Sequence, residues 1–153
     1  MGASSEPLYP FTVYNFQVLI GTTDVGGFSE CTGLTSDTDT IEYRTGTDPF
    51  LSVRKLPGMR KFSNIVLKRG FTKDLYLWTW RQRVLEPKPD DKYRQDGQII
   101  LVGEDKKAAL KWSFFDAYPS KLEGPAFNAK NNEIAIETLE LVVERWQFEA
   151  VSG

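Results

Sequence analysis

The N-terminal third of the chain repeats a period of two, which a β-sheet satisfies and a helix does not. Phe11 to Ile20, FTVYNFQVLI, is dense in β-branched and aromatic residues and has no Gly or Pro until Gly21, so it predicts a strand. Tyr14, Phe16, Val18 and Ile20 fall on one face, while Asn15 and Gln17 put polarity on the other. GTTDVGG, residues 21–27, predicts a turn, with a returning strand from Phe28 to Leu34. Alternation from Thr38 to Thr45 predicts a third strand with one face at most half apolar. Gly46 to Lys61, GTDPFLSVRKLPGMRK, carries two prolines and two glycines beside Phe50, Leu51, Val53, Leu56 and Met59. It predicts a long loop whose apolar residues fold back on the body or cover a neighbour. Ile65 and Leu67 then lead a further strand that ends at Gly70.

One segment departs from this pattern. Thr72 is placed to cap a helix, Asp74 suits its N-terminal dipole, and LYLWTWRQRVL, Leu75 to Leu85, is stopped by Pro87 and Pro89. Leu77, Trp80 and Val84 mark one apolar line and Leu75, Trp78 and Leu85 another. Such a helix either packs on its own sheet while meeting a second subunit, or is wedged deep into one domain. Beyond it, Gln98 to Val102 and Ala108 to Tyr118 flank GEDKK as a predicted hairpin, and Pro119 to Asn132 predicts a loop. The tail NEIAIETLELVVERWQF fits both a strand and a helical face. A bulge near Glu137 and Thr138 would bring Ile134 and Ile136 into phase with Leu139, Leu141 and Val143. The sum is about seven or eight strands and one helix. This predicts a mainly β fold, an antiparallel β-barrel or sandwich with one flanking α-helix and a long extended interface loop. Residues 1–10, MGASSEPLYP, predict a flexible arm ahead of a single domain over 11–153.

Composition removes much of the usual chemistry. The 153 residues contain no histidine and one cysteine, which excludes His-dependent triads, Cys-rich zinc sites and an internal disulfide. Cys31 reads as a small packing residue. The pairs Asp37/Asp39, Asp90/Asp91 and Glu104/Asp105 sit beside turn residues and read as solvated carboxylates, and none fits the calcium-loop spacing. Gly26-Gly27 lacks the Lys and Ser/Thr of a phosphate-binding loop. No catalytic residue, cofactor or metal site is expected. With 19 basic and 21 acidic residues the net charge is −2, unlike the strongly basic footprint of a nucleic-acid binder. Arg54, Lys55, Arg60, Lys61, Lys68 and Arg69 nevertheless cluster in sequence. Ten Phe, six Tyr and four Trp alternate mostly with polar residues and read as core before base-stacking platforms. Met1 to Pro10 lacks a secretory leader pattern, so synthesis without such export is expected. An interaction protein without catalytic chemistry is what remains.

Two stretches then sharpen the reading, GGFSECTGLTSDTDTIEYRTG at 26–46 and RKLPGMRKFSNIVLKRGFTKDLYLW at 54–78. With NEIAIETLEL at 132–141, they resemble in order the motifs of the tail-tube family of contractile phages and phage-derived injection particles. The fold is also similar to the haemolysin-coregulated protein of type VI secretion. The resemblance implies a non-enzymatic β-barrel with a flanking helix. Hexameric rings would stack into a hollow tube, with cargo protein or DNA in the lumen. Sheath, baseplate or spike and tube-terminating proteins would be its partners, after assembly in the bacterial cytoplasm, in a virion tail or a released particle. The segment from Glu42 to Phe62 would reach an adjacent subunit or ring, making Ile41, Tyr43, Arg54, Lys55, Leu56, Pro57, Gly58, Met59, Arg60 and Lys61 the expected interface. Thr47 to Val53 and the VVERW ending depart from the family pattern. A discrete secreted ring carrying effectors and a monomeric ligand-binding or single-strand-binding barrel are the competing readings.

Overall fold

The computed structural model describes residues 15–44, 46, 53–90, 92–103, 107–127, 129–130 and 134–151. The expected N-terminal arm and the segment Phe11 to Tyr14 lie outside them. Ten strands and one helix are described: β1 Asn15–Ile20, β2 Thr23–Phe28, β3 Glu30–Thr32, β4 Ser36–Tyr43, β5 Arg54–Phe62, β6 Ile65–Gly70, α1 Tyr76–Leu85, β7 Gln95–Val102, β8 Ala108–Glu123, β9 Ile136–Val142 and β10 Arg145–Ala150. Eight strands form one antiparallel sheet in the order β2-β1-β7-β8-β9-β6-β3, with β10 paired to β8, and β4-β5 form a separate two-stranded sheet. The fold is mainly β with one short helix, as expected. The large sheet is not closed into a barrel.

Strand β8 holds the two halves of the sheet together. Its first part pairs with β7 and β10, and its last part, from Tyr118, pairs with β9. Between them it turns a corner at Asp116, whose φ of 53° is the one positive value outside glycine among the described residues. Asp tolerates this conformation, and two neighbours fix it. The Asp116 amide donates to Asp96 Oδ1 at 3.0 Å, and Arg94 Nη1 donates to the Asp116 carbonyl at 3.2 Å. Gly97 sits at the same corner, where an added Cβ would lie 2.4 Å from both the Leu19 carbonyl oxygen and the Phe114 ring.

The core is the space enclosed by this curled sheet and α1. It holds Val18, Ile20, Val25, Phe28, Ile65, Leu67, Leu77, Trp80, Ile99, Phe114, Leu139 and Leu141, all nearly free of solvent. The helix seats Leu77 and Trp80 inward, Trp80 Nε1 donates to the Tyr93 carbonyl at 2.6 Å, and Arg81 Nη1 donates to the Pro119 carbonyl at 3.0 Å. Of the two predicted apolar lines, the one led by Leu77 and Trp80 faces the sheet, and Leu75 and Leu85 of the other are exposed. The start of the helix differs from expectation. Asp74 Oδ1 accepts from the Tyr76 amide at 3.0 Å, while Thr72 Oγ1 accepts from the Asp74 amide at 3.3 Å, so the N-cap position falls to Leu75 and the carboxylate just before it, not Thr72, takes up the first helical amide.

A cross-strand ladder runs through the core between β6 and β9. Ile65 opposes Leu141, Leu67 opposes Leu139, and Arg69 opposes Glu137. The last pair replaces hydrocarbon with charge, yet Arg69 is 4% and Glu137 1% exposed. Arg69 Nε donates to Glu137 Oε1, and Arg69 Nη1 donates to the Val25 carbonyl on β2. Trp78 Nε1 donates to Glu137 Oε2 at 3.0 Å, and the guanidinium lies 5.2 Å from the centre of the Phe28 ring. The pair thus ties β6, β9, β2 and α1 at one point, where the two ends of the open sheet approach.

Four expectations need correction. The turn at 21–27 is shorter: Ile20 pairs with Thr23, so Gly21 and Thr22 make it, and Gly26 and Gly27 lie within β2. A bulge near Val25 accommodates them. The returning strand 28–34 is split at Ser29, where the chain leaves β1 for β6. The loop expected from Pro119 begins later, because β8 runs to Glu123 with a shifted register beside Pro119. Finally, no bulge occurs at Glu137 or Thr138. The register of β9 with β6 is continuous, and Glu137 takes an inward position that leaves Ile136 outside.

Two stability predictions follow from this packing. Glu137→Gln should cost about 3–5 kcal/mol in chemical denaturation, because it leaves Arg69 charged and unpaired in the core. The double variant Arg69→Met/Glu137→Leu should cost less than either single change. Gly97→Ala should cost about 1–3 kcal/mol by overpacking the corner, measured the same way.

Candidate interaction surfaces

Every expected interface residue falls on the β4-β5 hairpin. Arg54–Phe62 was expected to be loop and is a strand instead, paired antiparallel with β4 from Ser36↔Phe62 to Tyr43↔Arg54. The tip, 45 and 47–52, lies outside the described residues. Between Thr38↔Arg60 and Thr40↔Pro57 one residue of β4 faces two of β5, which makes Gly58 and Met59 a bulge. Glycine fits there because a Cβ at 58 would approach Ile41 Cγ1 to 2.9 Å. Pro57, which has no N–H for a ladder, is tolerated beside the bulge.

The hairpin is an arm standing clear of the body. All of β4 and most of β5 is exposed. Its root is seated where Phe62 meets Trp146 edge-on, ring centres 5.5 Å apart. Register places Ile41, Tyr43, Leu56 and Arg54 on one face. Ile41 is 52%, Leu56 47% and Met59 74% exposed. Lys61 Nζ lies 3.3 Å from Asp39 Oδ2 on the arm itself, an exposed pair worth about 0–1 kcal/mol. Among the described residues, no ion pair engages Arg54, Lys55 or Arg60. A lone two-stranded hairpin is marginal in water, and one with bare apolar residues and two unpaired edges calls for a cover.

Two further surfaces stand out, of which the sequence pattern singles out only the outer line of the helix. Phe71, Phe127, Ile134 and Ile136 are exposed around the C-terminal end of β6, with Phe71 and Phe127 edge-to-face at 6.2 Å. Beside them a cleft of about 480 Å³ is lined by Asp24, Val25, Gly26, Gly27, Arg69, Gly70, Thr72 and Asp74. The signal was present in Ile134 and Ile136, which sit out of phase with the inward run from Leu139. A second cleft, about 630 Å³, runs along α1 between Leu75, Trp78, Gln82, Arg83, Glu86 and Lys88.

Titratable groups are not gathered for chemistry. Among the described residues no three of Cys, Asp and Glu converge as a metal site. Asp37 and Asp39 lie on the arm, Asp90 is exposed, and Asp91, Glu104 and Asp105 fall outside the described residues. Cys31 is half-buried on β3 opposite Leu67. Burial pushes its thiol up to about 11, which keeps it protonated and weakly nucleophilic near neutrality.

A body whose two buried charges pair with each other, and which holds out a bare arm, defines a protein that works by assembling. Comparison with known proteins makes the class specific. The chain belongs to the T4-like virus tail tube protein gp19 family, whose model matches residues 12–147. It is a structural tail tube subunit of a contractile phage tail or phage-like injection system, not an enzyme. It is similar to a chain in the sheath-tube complex of PVC, an extracellular contractile injection system, in the extended state. There the identity is 30% and the TM-score 0.76, over 94% of this chain and 93% of that one. A chain in the tube-terminating cap of the anti-feeding prophage is 29% identical with a TM-score of 0.79, over 97% of both. Hcp1 of Flavobacterium johnsoniae shares the fold at 13% identity and a TM-score of 0.54, over 92% of this chain and 100% of that one. No curated protein matches in sequence.

The raised thiol pKa yields a direct check. At pH 8 the native chain should react with iodoacetamide at least several-fold more slowly than denatured chain, because burial holds the Cys31 thiol protonated, up to about 11. The lag should close as the pH approaches 11.

Proposed function

We propose that this chain, folded as a single domain over residues 11–153, forms hexameric rings that stack into a hollow tube. The β4-β5 arm makes the contact to an adjacent subunit or ring. The observation that carries this reading is the arm itself: Ile41, Leu56 and Met59 are bare in the isolated chain, and their burial gives the hairpin a stability it lacks alone. Arg54, Lys55, Arg60 and Lys61 orient the contact, adding specificity and encounter rate more than affinity. Tyr43, Pro57 and Gly58 complete the surface.

A sheath protein outside the tube and terminating proteins at its end are the proposed partners. The likeness to chains from the sheath-tube complex of PVC and the tube-terminating cap of the anti-feeding prophage supports both. Baseplate or spike proteins at the other end, DNA or protein cargo in the lumen, and assembly in the bacterial cytoplasm complete the proposal. Filling of the interior by Trp80, Phe28 and Phe114 argues against a ligand-binding barrel.

The test is negative-stain electron microscopy and sedimentation of the purified chain over a concentration series. Rings and hollow tubes are expected. Leu56→Asp/Met59→Asp should suppress assembly, leaving the far-ultraviolet circular dichroism unchanged. Undiminished assembly by this variant would remove the arm from the interface, and discrete rings that never stack would favour the effector-carrying ring.

A further inference from the structure

The proposed arm leaves one question open, namely what it docks on. The large exposed apolar residues of the described chain fall mainly into three groups: the arm, the outer line of α1, and Phe71, Phe127, Ile134 and Ile136. The arm is rooted at Phe62, just before β6 begins at Ile65, whereas Phe71 follows the end of β6 at Gly70. Arm and aromatic patch therefore lie at opposite ends of one strand, about 17 Å apart at its rise per residue. An exposed patch at one end and a projecting apolar arm at the other make a heterologous pair, the geometry that propagates from copy to copy instead of closing on itself.

We infer that the patch of Phe71, Phe127, Ile134 and Ile136 is the docking site for the β4-β5 arm of a second copy of this chain. The inference rests on the reading of the arm as an interface and names its receptor. Shape favours it, because a ribbon meets a surface with a cleft of about 480 Å³ alongside. Charge favours it too. That cleft is lined by Asp24 and Asp74 and by Arg69, whose charge is engaged by Glu137, and the arm offers Arg54, Lys55 and Arg60, which make no ion pair among the described residues. Asp74 lies 4.0 Å from Arg69, whereas Asp24 accepts only neutral donors, Gln17 Nε2 and the Gly26 amide, so Asp24 is the carboxylate left for a guanidinium. The rival surface along α1 carries Arg83 and Lys88 against a single Glu86 and would repel the same arm. Reach is sufficient, since the eight residues of β4 extend about 25 Å.

Phe127 and Ile134 are 80% and 81% exposed, so Phe127→Asp/Ile134→Asp leaves the fold undisturbed, with circular dichroism as the control. Sedimentation of the full chain should show the concentration for half-assembly raised roughly tenfold or more by this change. The arm variant Leu56→Asp/Met59→Asp should do the same. Mixed one to one, the two variants should form complexes that neither forms alone, because the arm of one finds the intact patch of the other. A patch variant that assembles like the parent chain, while the arm variant does not, would overturn this inference and leave the arm as an interface. Two deficient variants that fail to complement would also overturn it. Unimpaired assembly of the arm variant, or a parent chain that stays monomeric throughout, would overturn both readings.

Discussion

The structure turns on a buried ion pair. Arg69 and Glu137 occupy the last inward rung of the β6-β9 ladder, and an isolated charge there would cost several kcal/mol. Each is tolerated because the other is present and because a carbonyl of β2 and the indole of Trp78 take up further hydrogen bonds. Hydrophobic alternation alone already disfavours a one-residue slip of β6 against β9 but would tolerate a slip of two. The pair demands one register, since sliding β9 by two residues would part Glu137 from Arg69 and leave the arginine buried without it. An open sheet with a helix on one side is thereby given a defined curvature, and the edge strand β2 is brought to β6, which lies next to the opposite edge strand β3.

The motifs that mark the family divide along this line. GGFSE contributes Phe28 and follows directly on Val25, whose carbonyl joins the cluster, LKRG contributes Arg69, the tryptophan-rich helix contributes Trp78, and IETLEL contributes Glu137. These four converge on one point inside the subunit. IEYR and RKLPG instead face each other across the arm, outside it. The sequence signature thus records two separate demands: a body that keeps its shape, and an extension that leaves it.

Much of this was legible from residue pattern. The strands with strict alternation, the single helix and the absence of catalytic groups follow from periodicity and composition. The places that were not legible share a cause, which is that local signals were overridden by pairing partners distant in sequence. Pro57 and Gly58 read as loop breakers, yet a bulge opposite Asp39 takes up Gly58 and Pro57 is accommodated beside it, opposite Thr40. Gly26 and Gly27 read as a turn, yet β1 holds them in a strand. Glu137 read as a break in phase, because a carboxylate is not expected in a core until its arginine is known. The residues expected at the interface share one hairpin, whereas Phe71, Phe127 and Ile134 come together only in the fold.

Strand β8 carries a mechanical consequence. It runs sixteen residues across both halves of the sheet, hydrogen-bonded to β7, β10 and β9. Ladder bonds lie perpendicular to the strands, so a load along β8 shears many of them at once, whereas a load across an edge peels them one by one. A load along β8 is therefore resisted by many bonds together, whereas the arm is tied to the body at its root, where Phe62 bears on Trp146. With the arm contact proposed above, a column of such subunits would transmit thrust as a row of plates joined at the arms, and its bending would be set by that joint.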